Sequence, residues 1–257
     1  MLVSKSLNLS ILTLFLISCL INASSNIYDQ YLTHYWPITN GKMLDEIGSA
    51  HMFQGNLTTF TTDRFDCLNS SLALNGGWTH VQSGIFFNTL EFTISVWVYP
   101  QQVGSWSRVI DFGNGFQSDN IIITLDTGEN IYSNFQIYEG SSQSVYLKTT
   151  ESLTIGKWQF LTVTFNKTHA KFYIDGKLKM TSFNALTMKT LTRSLCYIGK
   201  SHWSGDGYSK SYLDDLRFYN KSLIESEIVD LMNQNETSKK YIKIMLKKIK
   251  IKEKTLS

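Results

Sequence analysis

Apolar and polar residues alternate with a period of two through much of this chain. In Phe92–Tyr99 one face carries Phe92, Ile94, Val96 and Val98, and the other Thr93, Ser95, Trp97 and Tyr99. In Trp158–Phe165, Gln159, Leu161, Val163 and Phe165 alternate with Trp158, Phe160, Thr162 and Thr164. Successive strand residues point to opposite faces, so both segments predict strands. Large residues on both faces predict a sheet covered on one side and grooved on the other. Asp175-Gly176 between two such runs predicts a hairpin, because a type I′ turn needs positive φ at both central positions. Further strands are expected near Leu72–Leu74, Arg108–Phe112, Ile121–Leu125, Phe135–Tyr138, Val145–Leu147 and Cys196–Ile198. The period lengthens only at Ser226–Met232, a short helix with Ile228, Leu231 and Met232 inward, capped by Ser222 or Ser226. Between 26 and 234 there is no Pro/Gly linker, low-complexity run or repeat, which predicts one domain.

Composition agrees with sheet: aromatics make up 13% of the 257 residues and charged residues only 18%. The net charge of +3 hides an asymmetry, because residues 239–257 hold eight Lys against one Glu, leaving the rest at −4. A mildly acidic body argues against a nucleic-acid partner. The tail from 235 to 257 is basic; as a helix it would set Ile242, Met245, Leu246 and Ile249 opposite four lysines, the pattern of a membrane-surface binder. A disordered tail and a misassigned gene end are the alternatives.

Lys5 precedes an apolar run of 13 residues, Leu9–Ile21, and then the small residues Ala23, Ser24 and Ser25. As helix that run spans about 20 Å, short of the ~30 Å bilayer core. Residues 1–25 therefore predict a secretory signal and export to the extracellular space. Cys19 would leave with it. In an oxidising compartment the remaining pair, Cys67 and Cys196, is expected to form one disulfide. Asn-x-Ser/Thr sequons at Asn56, Asn69, Asn166, Asn220 and Asn235 predict a glycosylated surface.

The segment Tyr197–Met232, YIGKSHWSGDGYSKSYLDDLRFYNKSLIESEIVDLM, orders strand, Gly-rich loop, strand and short helix. It resembles the C-terminal end of laminin-G-like jelly rolls, in the concanavalin-A-like superfamily that also holds the pentraxins. Phe172–Leu178 (FYIDGKL) and Phe92–Pro100 (FTISVWVYP) resemble two more of that family's segments, and the likeness runs from about Tyr35 to Asn233. It implies an all-β, antiparallel jelly-roll sandwich with a short C-terminal helix. It also implies a domain that binds outside cells and rarely catalyses.

Candidate chemistry is sparse. A glycosidase of this superfamily needs a close carboxylate pair on one strand. The candidates are Asp126 with Glu129 at a turn, and Asp214-Asp215, which strand alternation would place on opposite faces. The histidines His34, His51, His80, His169 and His202 have no metal spacing. The resemblance to pentraxins suggests calcium at Asp119-Asn120, completed by Asp206, although the later acidic segment of that family is replaced by Ser201-His202-Trp203; the alternative is that Asp119-Asn120 simply make a turn. Trp106 and Trp203 lie in polar Gly/Ser loops, where indole can stack on sugar. Trp36, Trp97 and Trp158 lie on strands and are expected in the core. The resemblance to pentraxins implies that loops 114–120 and 201–208 end at the same edge of the sandwich, so a ligand site is expected there, using Trp106, Asn114, His202, Trp203 and Tyr208. The expected function is extracellular recognition of a glycan or glycoprotein without catalysis. A matrix domain working through protein contacts is the alternative, and a glycosidase a remote one.

Overall fold

The computed structural model describes residues 29–87, 90–102, 104–128, 131–183 and 188–234. The expected signal segment, the basic tail, Asn235 and Glu129 lie outside them. A 3-10 turn, Asp29–Tyr31, leads into β1 (Leu32–Trp36), β2 (Met52–Thr61), β3 (Ser71–Val81), β4 (Phe92–Pro100) and β5 (Ser105–Gly113). Then come β6 (Ile121–Thr127), β7 (Tyr132–Glu139), β8 (Ser142–Ser152), β9 (Gln159–Phe165), β10 (His169–Ile174) and β11 (Lys177–Phe183). β12 (Leu195–Ile198) and β13 (Ser209–Tyr219) follow, and a helix, α1, occupies 225–234.

Each strand pair is antiparallel, in the order β11-β10-β9-β4-β13-β3-β12-β5-β6-β7-β8, with β1 on β13 and β2 on β3. β3 turns the sheet into two layers. Its first half pairs with β13 through Leu72–Gly77, and its last residues, Thr79–Val81, pair with β12. The far strand β8 then packs against β10 and β11, closing a jelly-roll sandwich. The core between the layers takes the expected face of β4 (Phe92, Ile94, Val96, Val98) together with Leu161, Val163 and Phe165 of β9. Full burial of each such side chain contributes about 1.5–3 kcal/mol. The β10–β11 hairpin turns on Asp175 (φ 50°) and Gly176 (φ 73°), the expected type I′ geometry.

Three expectations need correction. First, the outer face of β4 and β9 is not an open groove near its centre. Trp97, Phe160, Tyr173 and Tyr219 form a second cluster with Leu223, just before α1, and with Ile228 and Leu231 on it. Trp36 is the core tryptophan, Trp97 belongs to this second cluster, and Trp158 is only half-buried. A Cβ on Gly176 would sit 2.8 Å from Val229, so the hairpin tip is shaped to admit the helix. The cap also differs: the Glu227 carboxylate accepts from the Ile224 N–H at 3.0 Å, half of a capping box, where a serine was expected.

Second, no disulfide links Cys67 to Cys196. Cys67 precedes the Ser71 end of β3, whereas Cys196 pairs with Val81 at the other end. Ten residue steps of strand cover about 33 Å, and a bridge needs Cα atoms within about 7 Å. Burial pushes the Cys196 thiol up to about 12, so it stays protonated and unreactive.

Third, Asp214 and Asp215 do not diverge. Two residues of β13, Asp215 and Leu216, oppose the single Val96 of β4 here, and Asp215 has φ 52°. This bulge turns both carboxylates to one guanidinium: Arg64 donates to Asp214 at 2.6 Å and to Asp215 at 2.6 Å. Arg217 adds a contact to Asp215 at 3.2 Å.

Candidate functional site

The two expected loops do meet, over the outer face of β5 and β12. The first runs from Gly113 to Asn120. Its organiser is the buried Asn120 amide, which accepts from the Ser118 N–H at 2.7 Å and donates to Gly115 O at 3.0 Å and to Asp111 at 2.9 Å. A Cβ at Gly113 would lie 2.4 Å from the Asn120 amide nitrogen, so only glycine admits it. The second loop, 199–208, closes on itself: Ser201 Oγ donates to Asp206 at 2.7 Å and accepts from the Trp203 N–H at 3.0 Å.

Asp111 joins them. Its Oδ2 accepts from the His202 backbone N–H at 3.1 Å, and its Oδ1 lies 2.9 Å from His202 Nδ1. The same imidazole nitrogen lies 3.2 Å from the Asn120 amide nitrogen, so Asp111, Asn120 and His202 form one contact triangle. Arg108, almost fully buried, completes the centre. It reaches Asp206 at 2.6 Å, Trp106 O at 2.7 Å, Thr124 Oγ1 at 3.3 Å and Asp111 at 3.6 Å. Burial lowers the Arg108 pKa, and Asp111 and Asp206 oppose that shift. A guanidinium between two carboxylates is the arrangement that offsets the cost of burying each charge.

Aromatic rings roof this polar centre. The Trp203 ring lies 5.1 Å from Phe116, 5.6 Å from Tyr138 and 5.5 Å from the Arg108 guanidinium. Trp106, held at φ 56°, is 6.0 Å from the same guanidinium. Phe116 is 59% exposed and Tyr208 50% exposed. Burial raises the Tyr138 pKa, keeping its hydroxyl protonated.

The other expected residues have local duties. Asn114 uses both ends of its amide, donating to Thr192 O at 3.1 Å and accepting from the Ser194 N–H at 2.9 Å. Asp119 accepts from the Gly140 N–H at 2.7 Å, and its carbonyl accepts from Arg193 Nε at 2.9 Å, tying this loop to the β7–β8 turn. Of the residues expected at a calcium, Asp119 Oδ1 accepts from the Gly140 N–H, Asn120 Oδ1 from the Ser118 N–H, and Asp206 Oδ2 from Arg108 and Ser201, and the described residues contain no group of three His, Cys, Asp or Glu placed to hold a metal. Asp126 accepts from the Gly104 N–H at 2.8 Å and the Gly128 N–H at 2.7 Å. Of the sequons, Asn56, Asn69 and Asn220 are exposed, whereas Asn166 is half-buried with its amide 3.2 Å from His169 Nε2.

The sequence reading missed Arg108, Asp111, Phe116 and Tyr138. The one signal available was the Arg108–Asp111 spacing in a strand that opens beside the Gly-rich loop.

An antiparallel jelly roll of this topology is a concanavalin-A-like class of domain. A laminin-G family model, described as the concanavalin A-like lectin/glucanases superfamily, matches residues 75–229. The chain belongs to that superfamily. Sequence comparison with curated proteins found no match. Similar solved structures include domain 4 of AbnA, an extracellular GH43 arabinanase from Geobacillus stearothermophilus, in complex with arabinotriose. It is 20% identical with TM-score 0.58, covering 78% of this chain and 98% of that one. Botulinum neurotoxin type C, dependent upon interaction with two ganglioside molecules, is 16% identical with TM-score 0.61, covering 80% and 51%. The binding domain of Paraclostridial Mosquitocidal Protein 1 is 18% identical with TM-score 0.62, covering 81% and 53%. This chain thus spans about half of each toxin structure and nearly all of the arabinanase domain. Among the described residues no helix is long and apolar enough to cross a membrane.

Proposed function

We propose that this domain is an exported, non-enzymatic binding module that holds a glycan, free or on a glycoprotein, at the rim formed by loops 114–120 and 201–208. The observation that carries the reading is the Trp203–Phe116–Tyr138 ring cluster on a buried Arg108–Asp111–Asp206 support. Rigid aromatic faces held by fixed polar groups lose little entropy on binding, and sugars stack on such faces. The arabinotriose complex of one similar structure, and the dependence of botulinum neurotoxin type C cell entry on two ganglioside molecules, support the same ligand class. A glycosidase would need a carboxylate pair, and Asp126 is held by backbone amides while Asp214 and Asp215 are held by Arg64. Binding of this kind needs no calcium.

A glycan array probed with the full chain, in calcium and in EDTA, tests the reading. The expected result is specific glycan retention that EDTA leaves intact and that Trp203→Ala weakens by about 1–2 kcal/mol, roughly 5- to 30-fold. A blank array together with a protein pulled down through the same loops would replace it with a matrix role through protein contacts. Loss of binding in EDTA would return Asp119, Asn120 and Asp206 to the position of calcium ligands.

A further inference from the structure

The rim does not end at His202. Its ring lies 4.8 Å from Tyr197 on β12, Tyr197 lies 5.4 Å from Trp78 on β3, and Trp78 lies 6.1 Å from His80. Phe53 of β2 then stacks on His80 at 4.8 Å with an interplanar angle of 18°. The register explains the row. Phe53 pairs with His80, His80 with Tyr197, and Tyr197 with Asp111 beneath His202. Three strand spacings of about 4.8 Å make a strip about 14 Å long, and the helix α1 lies on the other layer. Phe53 is 45% exposed, and Trp78, His80 and Tyr197 are half-buried, so this part of the strip faces solvent, while the His202 side chain is buried at its inner end.

One cation sits on it. Lys200 Nζ is 4.3 Å from the centre of the Trp78 ring and 4.5 Å from that of Tyr197. It makes no ion pair among the described residues, whereas Lys179 and Lys221 each hold a glutamate. Two rings fix the ammonium in place by cation–π attraction while supplying no negative charge. The carboxylate beneath this end of the strip, Asp111, is already spent on Arg108, Asn120 and His202. His80 Nδ1 is also buried without a hydrogen-bond partner. The surface is therefore aromatic, positively charged and continuous with the rim.

The geometry points to an acidic-sugar subsite: a saccharide lying along Phe53 and Trp78, with its carboxylate or sulfate on Lys200. The inference rests on the glycan-binding reading of the neighbouring rim and names the charge of the ligand that reading leaves open. An ammonium already positioned by two rings loses little rotamer freedom when an anion arrives, so charge complementarity here selects ligands at low entropic cost.

The test uses lactose, 3′-sialyllactose and 3′-sulfolactose immobilised side by side, with the full chain and its Lys200→Gln, Lys200→Glu and Trp203→Ala variants. The parent is expected to prefer at least one acidic probe over lactose by about tenfold or more. Raising the salt from about 0.05 to 0.5 M should shrink that ratio. Lys200→Gln should bring it close to one, and Lys200→Glu should invert it. The favoured acidic probe identifies carboxylate or sulfate as the group recognised. Equal binding of all three probes that Trp203→Ala abolishes would overturn the subsite and leave the rim reading standing. An acid preference that depends on Lys200 but ignores Trp203→Ala would do the reverse. A preference that survives Lys200→Glu sinks the subsite, and absence of binding to every probe sinks both. Urea midpoints of the Lys200 variants, expected to match the parent at this part-exposed position, separate these outcomes from misfolding.

Discussion

The molecule uses one device twice, once on each layer, and to different ends. Under the helix-covered layer, Arg64 clasps Asp214 and Asp215, Arg217 and the Tyr35 hydroxyl complete Asp215, and Arg64 lies 4.5 Å from the rings of Phe65 and Trp97. On the other layer, Arg108 sits between Asp111 and Asp206 with Trp106 and Trp203 over it. The first network balances two cations with two carboxylates and is closed from water. Burial acts against the Arg217 charge, but Asp215 and its neighbours outweigh it and raise its pKa. The second has one arginine for two carboxylates, and its aromatic cover, Trp106 at the start of β5 and Trp203 in loop 201–208, lies beside an exposed Phe116. A buried guanidinium clasp is thus a pin where everything around it is sealed. Where its roof faces solvent, the same clasp becomes the stiff support of a binding surface.

The largest effect that would break this comparison is Arg217→Ala. It strands Asp215 with less countercharge in a sealed site, which costs about 3–5 kcal/mol, read as a lower urea midpoint. Next comes Arg108→Ala. Asp206 is 15% exposed at its side chain and can turn to water, so the loss should be smaller, about 2–3 kcal/mol. It should also abolish glycan retention under conditions where the variant remains folded, because loop 201–208 loses its anchor. Arg108→Lys should recover only part of this, since one ammonium cannot reproduce the fork. If Arg108→Ala destabilises more than Arg217→Ala yet leaves binding intact, the assignment of pin and support is the wrong way round.

Which parts of this arrangement were legible in the sequence follows from how local their causes are. Alternation is local, so β4, β9 and the Asp175-Gly176 turn could be read directly. β2 could not: Met52–Thr61 pairs with β3 through two register shifts and exposes residues on both faces. The meeting of loops 114–120 and 201–208 was legible through the resemblance to laminin-G-like domains. Their organiser was not, because Asp111 and Arg108 look like ordinary strand residues until β12 and the Trp203 loop are laid across them. The same blindness affected Asp214-Asp215. Alternation predicts divergent side chains, and a single bulge with Asp215 at positive φ reverses the result. The expected disulfide failed for a related reason: an even cysteine count says nothing of the length of β3 between the two thiols.

The smallest predicted effect concerns Asp45, a buried carboxylate that rests on hydrogen bonds instead of a guanidinium. β1 sends Tyr35 to the sealed network and its neighbour His34 to Asp45, at 2.6 Å. Asp45 also accepts from the backbone N–H groups of Tyr35 at 3.0 Å and Gly48 at 2.9 Å. Burial alone would raise its pKa, but His34 and these amides prevail and hold it below the usual carboxylate range. With the folded value depressed, the stabilisation is complete above the unfolded pKa of about 3.9 and is lost as pH falls through the folded value. Asp45→Asn should therefore cost about 1–2 kcal/mol at neutral pH, the usual penalty for disturbing a buried hydrogen-bonded acceptor. Below the folded pKa the parent carboxyl is itself neutral, so the urea midpoints of parent and variant should converge. The Arg217→Ala deficit at neutral pH should be the larger of the two, because it leaves a buried carboxylate short of countercharge, whereas Asp45→Asn keeps an oxygen acceptor in place. A gap between parent and Asp45→Asn that stays constant from neutral pH to strong acid would show that shape at this corner matters, and not the carboxylate's charge.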